Sequence, residues 1–198
     1  MTDLTSALNR ILRWLESHNP ASAAGFQAGL SSEIIAAKLK PFPFEIPQEI
    51  YELYQWRNGD QSYSSVFGYL WFLDIDSACE AASSEVLNDE VLLEVREQAG
   101  EPQFLFPLFA FDGEYFAVQG CQESQPESLI FHVSDCYEIN PAFVNLTSMM
   151  LAIAECYETG IYVVREDDLI EVVDEKKFGE IRRKYNPGTV ESLYVEGW

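Results

Sequence analysis

The sequence predicts an α+β domain in which helices pack around a mixed, mainly antiparallel β-sheet. Strand-like runs follow one another in the middle of the chain, and helical patterns lie before and after them, which is the order typical of this fold class. The chain has 198 residues, of which 47% are hydrophobic, and this is enough apolar material for one core. We therefore expect a single domain over residues 1–198.

The first element is an amphipathic helix over residues 3–18, within an N-terminal helical segment 1–20. Asn19-Pro20 should end this helix, because proline cannot continue the helical hydrogen-bond ladder. Residues 20–29 are small and contain glycine, so we expect a loop there. The helix is predicted from apolar residues at helical spacing, which are Leu4, Leu8, Ile11, Leu12 and Leu15.

A second helix should begin after Ser31, a good N-cap residue, and end near Lys40. The stretch IPQEIYELYQWRNGD, residues 46–60, then predicts a short helix, because Pro47 suits a first helical turn. Asn58-Gly59 predicts a left-handed helix end or a tight turn after it. The apolar face of this short helix consists of Ile46, Ile50, Leu53 and Tyr54.

The run FPLFAFDGEYFAVQG, residues 106–120, predicts a β-hairpin, because Asp112-Gly113 lies between two apolar segments. We expect helical sequence before it, from about Ser77 to Ala99, with Asp76 or Ser77 as the cap. The further strands expected in this region are residues 66–73, Ser128–Val133 and Tyr137–Ile139.

The last part of the chain predicts a helix over residues 146–158, which Gly160 should end. Strands are expected at Ile161–Val164 and Leu169–Val173. Asp174 should cap a final helix whose last turn is basic, which suits the negative end of a helix dipole. We treat residues 164–198 as a C-terminal extension of the core.

Charge is the strongest compositional feature. Thirty-three acidic residues face twelve basic residues, and the net charge is −21. Between Asn58 and Val164 there are eighteen acidic residues and one basic residue, Arg96. Such a surface repels phosphate and attracts cationic proteins, so we expect no nucleic-acid binding and a basic protein partner. The simpler alternative is a solvated acidic surface that keeps the chain in solution.

Several other classes of function lack support in the sequence. The chain has no glycine-rich nucleotide motif and no serine-hydrolase elbow, and its two histidines, His18 and His132, are far apart in the sequence. Four widely spaced cysteines indicate reduced core thiols. We expect no metal, no cofactor, no membrane span, no signal peptide, no catalytic residue and a cytoplasmic location. A Glu/Asp pair for acid–base chemistry would require the fold to bring two carboxylates together.

Short elements spread over about residues 30–163 occur in a characteristic order and spacing. They are Ile46-Pro47 with Tyr54 and Asn58-Gly59, then Trp71-Phe72-Leu73 before Ala78, then Phe106-Pro107 with Asp112-Gly113 and Tyr115, and finally Ser148 to Gly160 followed by Tyr162. In this order the chain resembles the SUKH superfamily, of the Smi/Knr cell-wall-assembly-regulator type. The basic helix after residue 164 is not typical of that pattern.

The resemblance implies a mixed sheet with helices around it and a role in binding rather than catalysis. Many bacterial members of this family resemble immunity proteins, which bind and neutralise toxin domains, and fungal members look like signalling scaffolds. We therefore expect a non-enzymatic, immunity-type protein that occludes a basic toxin domain. The alternative is a cytoplasmic regulatory scaffold of the cell-wall-assembly type without a toxin partner, which the additional basic helix favours.

The predicted contacts combine aromatic side chains with projecting carboxylates. Aromatic residues dominate binding hot spots, and carboxylates at turn tips attract basic groups. Trp56 also fits core packing, and the turn residues also fit ordinary turn chemistry. The predicted contacts are Tyr51, Trp56, Asp60, Asp112, Glu114 and Tyr115.

Overall fold

The structure is a computed structural model, which describes residues 2–67, 70–83, 87, 102–135, 138–165 and 170–188. The predicted α+β class is confirmed, since helices surround antiparallel sheets. The helices are α1 (Asp3–His18), α2 (Pro20–Gly25), α3 (Ser32–Leu39), α4 (Gln48–Trp56), α5 (Ile75–Ala82), α6 (Leu146–Glu158) and α7 (Glu175–Tyr185). The strands are β1 (Phe26–Ala28), β2 (Arg57–Asp60), β3 (Trp71–Phe72), β4 (Leu105–Phe111), β5 (Glu114–Gln119), β6 (Ile130–Val133), β7 (Ile139–Phe143), β8 (Tyr162–Val164) and β9 (Ile170–Val172).

The central sheet is a meander with the strand order β3-β4-β5-β6-β7. Each strand pairs antiparallel with the next one along the chain, so short turns suffice to connect β4 to β5 and β6 to β7. Two smaller sheets, β1-β2 and β8-β9, are also antiparallel. The turns at one end of the central sheet therefore lie side by side.

The main core includes buried residues of the helices and of one face of the central sheet. A smaller apolar cluster includes residues of the other face. Among the residues that the structure describes, no helix is both long enough and apolar enough to cross a membrane. The residues of the smaller cluster are Leu87, Leu105, Ala117, Phe131 and Val133.

The predicted first helix is confirmed over Asp3–His18, but the loop predicted for residues 20–29 is wrong. Asn19 ends one helix and begins the next. Its backbone N–H donates to the Leu15 carbonyl oxygen at 2.7 Å, and its side-chain oxygen accepts from the Ser22 N–H at 3.2 Å. Because Pro20 then occupies the first turn of α2, helical structure resumes and is followed by β1.

Ser31 caps α3 and the predicted apolar face of α4 is buried, but α4 ends differently from the prediction. Arg57 has an extended conformation and begins β2, so Asn58-Gly59 lies inside a strand rather than in a turn. Gly59 has φ +82°, and a Cβ there would lie 2.4 Å from the backbone nitrogen of Asp74. Glycine therefore allows β2 to approach the start of α5.

The cap of α5 is Asp74, not Asp76 or Ser77 as predicted. Its carboxylate accepts from the N–H groups of both of those residues, at 3.0 and 3.1 Å. Of the predicted strand 66–73, the described residues form a strand at Trp71–Phe72 and an isolated bridge between Phe67 and Leu70. Most of the helical sequence predicted up to Ala99 lies outside the described residues.

The predicted hairpin is confirmed, with β4 and β5 joined at Asp112-Gly113. Both residues have positive φ, +45° and +89°, as the tight turns of hairpins require. β6 and β7 confirm the two further strands predicted here, although β7 continues to Phe143 and Tyr137 lies outside the described residues.

The predicted helix over residues 146–158 is confirmed, and Gly160 follows it with φ +70°. The late strands β8 and β9 pair with each other, and Asp174 caps α7 as predicted. α7 packs on α6, where Phe178 and Ile181 are buried in the main core. The segment predicted as an extension thus contributes to the same core.

A buried carboxylate joins α4 to the start of α6. Glu49 is 9% exposed and accepts hydrogen bonds from the Leu146 N–H at 3.1 Å and from the Thr147 N–H at 2.9 Å. The Thr147 hydroxyl also donates to it. The side chain therefore caps α6 from a distant part of the chain.

Candidate functional site

The two aromatic contacts predicted on α4 are partly buried. The indole Nε1 of Trp56 donates to Asn9 Oδ1 on α1 at 3.0 Å, and its ring centre lies 5.4 Å from that of Phe26. Tyr51 packs against the main core, where burial, with a smaller effect of Glu45, raises the pKa of its hydroxyl. Packing thus explains the positions of both side chains.

Asp60 corrects the expectation of an exposed acid, because it is only 5% exposed. Its Oδ1 accepts from the backbone N–H and the hydroxyl of Ser62, at 2.9 and 2.5 Å. Its Oδ2 accepts from the Ser64 N–H at 2.8 Å. The carboxylate therefore organises the loop over residues 60–64 instead of facing solvent.

This loop presents an exposed aromatic ring. Tyr63 is 70% exposed and has φ +51°, an uncommon conformation for a bulky residue. Its ring centre lies 5.8 Å from that of Trp71, and the Trp71 centre lies 5.5 Å from that of Phe111, which is 37% exposed. We call Tyr63, Trp71 and Phe111 the aromatic row.

Exposed carboxylates lie in the turns at the end of the central sheet where Phe111 ends β4. Asp112 follows Phe111 directly in the β4–β5 turn. Asp135 belongs to the neighbouring β6–β7 turn, and its Cβ would lie 3.7 Å from a Cβ on Gly113. Glu138 lies in that second turn as well. We call Asp112, Asp135 and Glu138 the acidic turns.

The other two residues predicted at the hairpin lie on β5 and are half-buried. Glu114 Oε2 lies 3.2 Å from Nε2 of His132, which is 3% exposed. The His132 ring also meets Phe116 edge to face, with 5.4 Å between ring centres. Tyr115 packs partly against the smaller apolar cluster. Of the three hairpin residues, Asp112 is the exposed one.

The described part of the chain holds no cluster of metal ligands, and burial suppresses the reactivity of two of its thiols. No group of three or more His, Cys, Asp or Glu residues there is placed to hold a metal ion. Burial raises the pKa of Cys79 to about 11 and that of Cys156 to about 12, which disfavours the reactive thiolate. Cys136 lies outside the described residues.

An open cleft of about 640 Å³ lies beside the smaller cluster, next to Phe131 and Ile139. Glutamine, proline and apolar side chains line it, and the one titratable group in its lining is the thiol of Cys121. A general acid and base of the carboxylate type are therefore not present in this lining. The absence of catalysis stays a prediction for the chain as a whole.

The aromatic row was not among the predicted contacts. Its members come from three separate stretches, and the pairing of β3 with β4 brings two of them, Trp71 and Phe111, together. The sequence signal that remains is an aromatic residue among polar ones, in QSYSS at residues 61–65.

No protein-family model matches the chain, and a search of curated proteins finds no significant match. The resemblance to the SUKH superfamily therefore stays a prediction.

Proposed function

We propose that the chain is a non-enzymatic protein-binding module of the SUKH, immunity type, which binds a basic toxin domain and occludes its functional surface. The observation that supports this most is the aromatic row beside the acidic turns. Exposed aromatic rings supply apolar area that binding can bury, and adjacent carboxylates attract a cationic surface. The proposed place of action is the cytoplasm.

The net charge of −21 supports the choice of a basic partner. A strongly negative protein attracts cationic proteins over distances of about one Debye length, roughly 10 Å at 0.1 M salt, and this accelerates their encounter. A nuclease binds nucleic acid through cationic groups. An acidic surface bound to those groups would exclude the substrate phosphates.

The two parts of the site would affect the kinetics of binding differently. The acidic turns act mainly on association, because exposed charges steer the encounter and are screened by salt. Burial of Tyr63 and its neighbours acts mainly on dissociation, because short-range contacts are lost only when the complex separates. A complex of this kind forms fast at low salt and lasts because of its aromatic centre.

The direct test uses a basic nuclease domain encoded next to the gene for this chain. We expect a one-to-one complex in which the nuclease is inactive, with an association rate that falls at least about tenfold between low and high salt. Stopped-flow kinetics and a nuclease assay measure both properties. A salt-independent association rate, or an active nuclease within the complex, would contradict the proposal.

The second candidate, a regulatory scaffold of the cell-wall-assembly type, is favoured by the basic surface of α7. Lys176, Lys177 and Arg183 are exposed, although Lys177 also pairs with Asp174 at 3.2 Å. Such a surface suits the acidic turns of another copy. Sedimentation at low salt separates the candidates, since the scaffold should self-associate and the immunity-type protein should remain monomeric without its partner.

A further inference from the structure

The arrangement of the aromatic row indicates which basic side chain a partner presents to it. The ring planes of Tyr63 and Trp71 meet at 88°, and those of Trp71 and Phe111 at 64°. Rings arranged edge to face in this way do not cover each other as stacked rings do, and the Tyr63 ring remains 70% exposed. The face of an aromatic ring attracts a cation.

Elsewhere the chain already places its own arginines on aromatic rings. The guanidinium carbon of Arg57 lies 5.3 Å from the Trp56 ring centre, and that of Arg182 lies 5.2 Å from the Phe143 ring centre. Both distances fall within the range of about 6 Å in which a cation and a ring attract each other. A cation over an aromatic ring is thus a contact that this fold uses internally, and Lys184 Nζ, 4.7 Å from the Tyr185 ring centre, is a further example.

We propose that the aromatic row is the anchor site for an arginine side chain of the basic partner, an inference that rests on the proposed function. Guanidinium is planar and weakly hydrated, so it stacks on a ring with little loss of hydration. It also binds a carboxylate through two parallel hydrogen bonds, and Asp112 of the acidic turns directly follows Phe111 of the row. The ammonium of lysine is compact and strongly hydrated, and gains less from both features.

The site is held in shape before the partner arrives. Asp60 fixes the loop that carries Tyr63, and the Gln61 N–H donates to the Gly25 carbonyl oxygen at 3.1 Å. A Cβ on Gly25 would lie 2.3 Å from Asp60 Oδ1, so the loop packs directly against the end of α2. A preorganised ring loses little conformational freedom when it binds, which favours affinity.

The test compares two synthetic peptides of identical sequence except that every basic residue is arginine in one and lysine in the other. Isothermal titration calorimetry at low salt should show the arginine peptide binding roughly five- to tenfold more tightly. Tyr63→Ala should remove most of this preference, and Tyr63→Phe, which keeps the ring, should retain it. Val173→Ala is the matched control, because Val173 is an exposed apolar residue outside the aromatic row.

Three results would overturn the inference: equal affinities of the two peptides, no binding of either peptide, or a full arginine preference in Tyr63→Ala. Circular dichroism on each variant verifies that the fold is intact. Each of these results leaves the proposed function standing, since that proposal fails instead when the chain does not bind or inactivate the basic nuclease domain.

Discussion

Aromatic rings meet charge in two regions of this molecule, with opposite arrangements. In α7, the Arg182 guanidinium carbon lies 5.2 Å from the ring centre of Phe143 on β7 and 5.9 Å from that of Phe178. Burial lowers the pKa of Arg182 from its ordinary value. At the aromatic row Tyr63 and Phe111 are exposed, Trp71 is half-buried, and the adjacent charge is the Asp112 carboxylate. The first region places a largely buried cation on rings of the same chain, whereas the second displays a surface complementary to a cation.

The largest difference between the two regions should appear when an aromatic side chain is truncated. Phe178→Ala should lower the free energy of unfolding by about 3–5 kcal/mol, because Phe178 is 5% exposed and its removal leaves a cavity. Tyr63→Ala should change the same quantity by less than about 0.5 kcal/mol, since this ring is 70% exposed. Urea unfolding measures both values. Similar losses in the two variants would contradict the division into a structural and an interaction region.

Two glycines with positive φ give a second contrast between an interior position and the acidic end. Gly59→Ala should cost about 2–4 kcal/mol, because the new Cβ would overlap the Asp74 backbone and the residue would keep φ near +82°. Gly113→Ala should cost about 1 kcal/mol, since its Cβ would meet Asp135 at an ordinary 3.7 Å. Thermal unfolding measures the loss of stability in each variant. A larger loss in Gly113→Ala than in Gly59→Ala would show that β2 and α5 do not approach as described.

Glu49 is the buried counterpart of the exposed carboxylates in the acidic turns. Glu49→Gln should lower the free energy of unfolding by about 1–3 kcal/mol at neutral pH, because an amide nitrogen cannot accept and the Leu146 or Thr147 N–H loses its partner. Asp135→Asn is the exposed control, for which we expect less than about 0.5 kcal/mol. Urea unfolding at neutral pH measures both losses.

The loss of unfolding free energy caused by Glu49→Gln should also depend on pH. Burial raises the pKa of Glu49 above its ordinary value of 4.5, although hydrogen bonds from Thr147 and Leu146 act in the other direction. Above pH 4.5 and up to the higher folded pKa, the folded chain binds more protons than the unfolded chain, so the contribution of Glu49 falls as pH rises. The difference in unfolding free energy between the unaltered chain and Glu49→Gln should therefore increase as pH falls through this window. If this difference decreased as pH falls, the pKa of Glu49 would be lowered by folding and not raised.

A substitution at the tip of the β4–β5 hairpin should have the smallest effect on stability. It should still have a measurable effect on binding. Asp112→Asn should leave the unfolding free energy within about 0.5 kcal/mol, because asparagine tolerates positive φ. It should slow association with the basic nuclease domain about two- to threefold at low salt. Glu16→Gln, which removes an exposed charge from α1, is the control for net charge alone. Equal slowing in both variants would indicate that total charge, not the acidic turns, directs the encounter.

Most of the fold follows from local patterns in the sequence. The bounds of α1 and α6, the Asp112-Gly113 hairpin and the Asp174 cap were all predicted, because periodicity and turn chemistry act over a few residues. The errors occur where one residue serves two elements or meets a distant one. Asn19 ends α1 and begins α2, and Gly59 accommodates the backbone of Asp74 rather than a helix end.

The candidate site was harder to predict than the fold. Asp60 has the sequence context of a projecting turn acid, yet Ser62 and Ser64 occupy its oxygens, and residue type alone does not indicate these bonds. Trp71 and Phe111 have the sequence context of ordinary strand residues. Their contact with each other depends on the register in which Trp71 pairs with Ala110, and the sequence pattern does not specify that register.

The hydrogen bonds of Glu49 join parts of the chain that are synthesised far apart in time. Its partners in α6 follow it by 97 and 98 residues. Until they emerge from the ribosome, the carboxylate lacks these partners even though α4 can already pack on α1, so we expect this part of the core to be completed late. Nascent chains that stop before residue 146 should therefore be good substrates for chaperones and proteases.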